Sequence, residues 1–136
     1  MRKTILLGTM LLSSLAFTQQ KSPKGGDKDV HGCIGSAGYT YSQIKNDCVR
    51  VFEQKIKLKE VDSDESYTSM TAIIFSKDMK RAEIFIPDGN AKSIILNKEG
   101  KSKMWKSGSY IKETYVLVPY KKSRYQIKKG DVVIYQ

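Results

Sequence analysis

Few residues in this chain have the types and spacing that chemistry needs. His31 is the only histidine, and Cys33 and Cys48 are the only cysteines. Asp27 and Asp29 precede His31 at alternate positions, and on an extended segment alternate side chains project to one side. That spacing could offer oxygen and nitrogen ligands to a cation. Structural cation sites usually draw more ligands from a rigid framework, so the expected state of His31 is solvated or locally hydrogen-bonded. A Cys–His nucleophile would need a free thiol of lowered pKa. Two cysteines in an exported chain are expected to pair instead. Asp62, Asp64 and Glu65 sit in a hydrophilic turn that gives no reason for their pKa values to separate. The chain has no phosphate-binding glycine loop and no metalloprotease helix motif, and its single His leaves little room for a Ser-His-Asp set. These absences point away from an enzyme and call for no metal and no cofactor.

The elements that must position these residues begin with the compartment. Met1, Arg2 and Lys3 form a basic start, Ile5 to Ala16 an apolar run, and Ala16-Phe17-Thr18 places small residues where a signal peptidase cuts. Residues 1–18 therefore read as a signal peptide, and the absence of a cysteine directly after the run argues against lipoprotein attachment. No other segment approaches the roughly 20 apolar residues of a membrane span, so the expected protein is exported, periplasmic or extracellular, and not membrane-spanning. Residues 19–30 are polar and contain Gly and Pro. Such a stretch buries too little to offset its ordering entropy, and it is expected to be a flexible leader. Residues 31–136 are then one domain, the size that a chain of 136 residues allows.

Within that domain the first expected feature is a loop closed by a Cys33–Cys48 disulfide. Closing about 15 residues is worth roughly 3 kcal/mol in the chain-entropy estimate. Gly32, Gly35 and Gly38 loosen the loop, and Ser42 is placed to cap a short helical turn over 43–47. Tyr39 and Tyr41 alternate around Thr40 and are expected to pack on the domain. The segment from Val49 to Val61 reads as one strand whose alternation changes parity near Glu53 to Lys55, which predicts a bulge. Further strands are expected over 67–76, 81–86, 91–97, 103–106, 110–118, 124–128 and 131–135. Turn signals such as Pro87-Asp88-Gly89-Asn90 and Lys129-Gly130 separate them. About eight short strands without helical periodicity predict a mainly β fold, a small antiparallel barrel or sandwich.

Binding residues are sought among the cations and aromatics. The net charge is +10, from 24 Lys and Arg against 14 Asp and Glu, and it becomes +8 once Arg2 and Lys3 leave with the signal peptide. Such an excess favours anionic partners. Alternating lysines such as Lys55, Lys57 and Lys59 also serve as the solvent face of strands and protect sheet edges. The C-terminal third adds a concentration of aromatics, most of which are expected to pack in the core, with a minority lining a groove. The candidate binding set is Trp105, Lys106, Ser107, Tyr110, Tyr120, Lys121, Lys122 and Arg124. Nucleic acid is disfavoured because the protein leaves the cytoplasm.

Two resemblances bear on this reading. Asp29-Val30-His31-Gly32-Cys33, Ser36-Ala37-Gly38-Tyr39-Thr40-Tyr41-Ser42, Cys48-Val49-Arg50-Val51-Phe52-Glu53 and Ala82-Glu83-Ile84-Phe85-Ile86-Pro87 resemble small exported proteins of Gram-negative bacteria that carry no assigned activity. That resemblance implies export and the disulfide. Ser107-Gly108-Ser109-Tyr110 and Lys129-Gly130-Asp131-Val132-Val133 are similar to segments of the envelope β-barrels that inhibit c-type lysozyme. The second resemblance implies an inhibitory loop built on Ser107, Tyr110 and a nearby Lys. Electrostatics rank it second, since c-type lysozymes are strongly basic and repel a basic chain. The leading expectation is a non-enzymatic exported binding or structural protein of the envelope. Its partner would be an anionic envelope component or a protein not named by the sequence.

Overall fold

The structure, a computed structural model, describes residues 27–61, 69–87, 93–108 and 113–136. The expected signal peptide, most of the expected leader, the acidic turn at Asp62, Asp64 and Glu65, and Tyr110 lie outside the described residues.

Two sheets account for the fold. The smaller is a hairpin of β1 (Tyr39–Ser42) and β2 (Asp47–Arg50). The larger is an antiparallel meander of eight strands, β3 (Ile56–Lys59), β4 (Met70–Phe75), β5 (Arg81–Phe85), β6 (Ser93–Lys98), β7 (Trp105–Ser107), β8 (Tyr115–Tyr120), β9 (Arg124–Lys129) and β10 (Val132–Tyr135), each paired with its neighbours in sequence. The sheet curls until its two edges meet. Lys59 N donates to Gln136 O at 3.0 Å, Gln136 N to Lys59 O at 2.9 Å, and Val61 N to Ile134 O at 2.9 Å. Edge groups that would otherwise invite another strand are thereby paired at this corner.

Alternation along the strands fills the interior. Ile73↔Ile84, Ala82↔Leu96, Trp105↔Leu117 and Leu117↔Ile127 are direct cross-strand pairs facing inward. Ile84, Leu96, Leu117 and Ile127 are fully buried. Eight strands enclose a space that side chains can fill.

β4 and β5 depart from alternation, because they are buried on both faces. The outward-facing Ala72, Ile74 and Phe85 form a second apolar cluster with Val49, joined by Ile44 and Val51. The N-terminal hairpin therefore lies over the outside of these two strands. The expected disulfide is present, joining Cys33 and Cys48. The last residues of the expected leader are bonded into this unit: Lys28 bridges to Ile34, and Asp27 accepts from Ser36.

Three local expectations are corrected. Residues 49–61 do not make one bulged strand: β2 ends at Arg50, a 3₁₀ turn occupies Val51–Glu53, and β3 starts at Ile56. The parity change marks a passage between two sheets rather than a kink within one. Ser42 does accept from Lys45 N at 3.1 Å, but the segment is a hairpin turn and not a helix, with Asn46 at φ 53° reversing the chain. β8 continues through Pro119 to Tyr120, past its last β7 pairing at Leu117, so the missing proline N–H costs the β7 ladder nothing.

Candidate functional site: the basic end of the barrel

Successive hairpins of a meander alternate between the two ends of a barrel. The β4–β5, β6–β7 and β8–β9 turns therefore share one end. Aromatic side chains close it from inside: Phe75 lies 5.0 Å from Trp105 and 5.2 Å from Tyr125, centroid to centroid, in tilted arrangements. Trp105 Nε1 donates to the Met79 carbonyl at 2.9 Å, which pins the β4–β5 turn across this plug. Lys98 N donates to Lys80 O at 2.8 Å and ties the β6–β7 hairpin to the same turn.

The three turns differ in sequence but share their charge. Lys77, Lys80 and Arg81 belong to the first. Lys98, Lys101 and Lys103 belong to the second. Lys121, Lys122 and Arg124 belong to the third, and against these nine cations the same segments hold only Asp78 and Glu99. Asp78 is committed to its own turn, accepting from Ser76 Oγ at 2.6 Å and Lys80 N at 3.0 Å. The Ser76 hydroxyl, then the Lys80 amide, hold its carboxyl below the usual carboxylate range. Glu99 faces Lys106 at 3.9 Å. Lys98 Nζ lies 5.6 Å over the Trp105 ring and Lys121 Nζ 5.1 Å over Tyr120, so two cations rest on aromatic faces. The opposite end is mixed in sign among the described residues, with Lys129 paired to Glu113 at 2.5 Å and Asp131 beside it.

The predicted binding residues divide by this geometry. Tyr120, Lys121 and Arg124 come together around an open hollow of about 480 Å³ at the barrel seam, with Lys59, Glu60 and Gln136. Lys122 is exposed in the same turn, and Lys106 is exposed on the outer wall. Trp105 and Ser107 point inward and are only 4% and 8% exposed. The Ser107 hydroxyl accepts from the buried Tyr115 N at 2.9 Å. Sequence reasoning missed Lys77, Lys80 and Arg81 as members of one end, because only the meander order brings them beside residues 98–103 and 121–124.

A second, larger hollow of about 1140 Å³ opens beside the N-terminal unit, between the 27–41 segment and Ser93. His31 stacks on Tyr41 there, ring centroids 3.7 Å apart and 9° from parallel. Asp29 Oδ1 accepts from His31 N at 2.8 Å and Cys33 N at 2.9 Å, so its carboxylate organises the turn. Asp27 is held below the usual carboxylate range by the Ser36 hydroxyl and then its amide. Among the described residues no group of three or more His, Cys, Asp or Glu converges as metal ligands do.

Glu83 is the functional-looking residue that pattern reading passed over. It is wholly buried on the outer face of β5, and its carboxylate accepts from Ser42 Oγ at 2.6 Å, Gln43 N at 2.8 Å and Ile44 N at 3.2 Å. The donors are the last residue of β1 and the first two of the β1–β2 turn, so the group fastens the hairpin to the barrel.

Comparison with known protein families, curated proteins and solved structures yields no match. Among the described residues no helix is long and apolar enough to cross a membrane.

Proposed function

We propose that this chain is an exported, non-enzymatic binding protein of the bacterial envelope whose partner is anionic. The observation that carries the reading is the charge of three hairpin turns that share one barrel end, nine cations to two carboxylates within the turns, with Glu60 as an acidic neighbour of the third. A surface of one sign raises the local concentration and association rate of an opposite charge. The signal-peptide pattern at residues 1–18 and the Cys33–Cys48 bridge support export, since such bridges persist in oxidising compartments. With the barrel filled by side chains, binding falls to the outside of the molecule. The lysozyme-inhibitor reading gains nothing comparable, because the Ser107 hydroxyl is turned inward onto Tyr115.

The test is retention of the exported protein on dextran sulfate against neutral dextran at low salt. Retention lost as salt rises is the expected result. No retention on the sulfated matrix at low salt ends the electrostatic reading.

A further inference from the structure

The basic end of the barrel carries a second property that a soluble polyanion would not require. Six large hydrophobic side chains are exposed among the described residues, and two of them, Met79 at 38% and Met104 at 42%, stand together at this end. They are neighbours through Trp105. Met104 precedes it in sequence, and the Met79 carbonyl accepts its indole N–H. Met79 is also held at φ 58°, a left-handed conformation that a side chain enters at a cost, in a turn bonded from Ser76 to Arg81. Lysines flank both: Lys77 and Lys80 on one turn, Lys101 and Lys103 on the other.

Apolar tips ringed by ammonium groups match the two layers of a lipid surface. Each lysine near an anionic headgroup layer adds attraction, and an apolar side chain gains by entering the acyl boundary beneath. A sulfated or uronic glycan would use the lysines alone. Lys121, Lys122 and Arg124 extend the basic rim on the same end, which has the aromatic plug of Phe75, Trp105 and Tyr125 behind it to keep the turns in place.

We infer that this end of the barrel docks on an anionic lipid leaflet, with Met79 and Met104 entering the interface and the surrounding lysines engaging phosphate-bearing headgroups. The inference rests on the anionic-partner reading and narrows it to a membrane surface. The N-terminal hairpin lies against the outer wall of β4 and β5.

The experiment is flotation of the exported, processed protein with phosphatidylcholine vesicles with and without phosphatidylglycerol. Binding is expected only with the anionic lipid and is lost in high salt. Each lysine is worth about fivefold in partitioning, so Lys101→Glu, Lys103→Glu, Lys121→Glu and Lys122→Glu together reduce it by nearly three orders of magnitude or more. A control pair on the N-terminal unit, Lys28→Glu with Lys45→Glu, leaves most of the binding. Met79→Ser with Met104→Ser weakens vesicle binding severalfold yet leaves retention on dextran sulfate unchanged, with an unchanged melting curve excluding a folding defect. Dextran sulfate binding without vesicle binding, or a methionine variant that floats as well as the parent, overturns the membrane inference while the anionic-partner reading stands. Displacement by millimolar inorganic phosphate at constant ionic strength would replace the leaflet with a discrete phosphate site. Failure of both vesicles and dextran sulfate removes both readings.

Discussion

Replacing Glu83 tests how the N-terminal unit is held. Its carboxylate is the acceptor for one hydroxyl and two backbone amides of the β1–β2 turn, and it is itself without solvent contact. In Glu83→Ala these donors lose their acceptor. A buried donor left unsatisfied costs about 1–3 kcal/mol. The turn is partly exposed, and water entering the space would re-satisfy some of them, so the sum is expected near 3 kcal/mol rather than at its upper limit. For a domain of this size that lowers the melting temperature by roughly 10–15 °C. Glu83→Gln keeps one acceptor oxygen but turns an amide donor toward the turn's own donors, and about half the loss is expected. Thermal melts of the three proteins give the totals, and amide exchange at Gln43 and Ile44 gives the location. Both amides should exchange faster in the variants, while Leu96, Leu117 and Ile127 in the barrel keep their relative protection. A Glu83→Ala protein within about 0.5 kcal/mol of the parent, or with unchanged exchange at 43 and 44, would refute the fastening role.

Other perturbations separate the remaining contributions. Cys33→Ser with Cys48→Ser should cost roughly 3 kcal/mol in chemical denaturation, and reductant should reproduce the loss in the parent; equal stability with and without reductant would count against a stabilising role for the bridge. Tyr135, at the barrel seam, has its phenol pKa raised by burial, which outweighs the lowering from the Ser69 hydroxyl at 2.9 Å. The folded state thus holds the phenolic proton more tightly. Its contribution is full below the unfolded value of 10.0 and is lost as pH rises through the higher folded value. Tyr135→Phe should flatten that alkaline decline in urea titrations; an identical slope would exclude Tyr135 as its source. Asp78 shifts the other way, so its contribution is present above the unfolded carboxyl value and fades as pH falls through the lower folded one. Asp78→Asn should reduce the acid sensitivity of amide protection at Lys80, and an unaltered profile would remove the Ser76–Asp78–Lys80 turn from that account. Trp105→Phe keeps most of the plug but deletes the bond to Met79, and about 1–2 kcal/mol should be lost with faster exchange in the β4–β5 turn; an unchanged melt would show that the pin is idle.

Much of the barrel was legible before any tertiary information, and the reasons are local. Turn residues such as Lys129-Gly130 separate apolar runs of strand length, and a run long enough for five or six residues has little choice but to pair with the next. The disulfide was equally legible, since two cysteines behind a signal-type N-terminus have only each other. Residues 49–61 were misread because period and parity report which side a residue faces but not which sheet it joins. The 3₁₀ turn Val51–Glu53 conducts the chain from one sheet to another, and its fit depends on distant partners. Gly38, at φ 79°, shows the same limit: a Cβ there would lie 2.9 Å from Phe52 Cε1, a contact invisible until the hairpin is closed.

The candidate site divides along the same line. Sequence alone determined the excess of positive charge, the strand content and the presence of lysines in each turn, because these are properties of composition and near neighbours. Tertiary structure decided that the lysines of three separate turns share one end with two exposed methionines. It also turned Trp105 and Ser107 inward and set Glu83 under the N-terminal hairpin. Those outcomes follow from meander order, strand register and closure of the sheet. Each depends on contacts between residues far apart in the chain, and no local pattern encodes them.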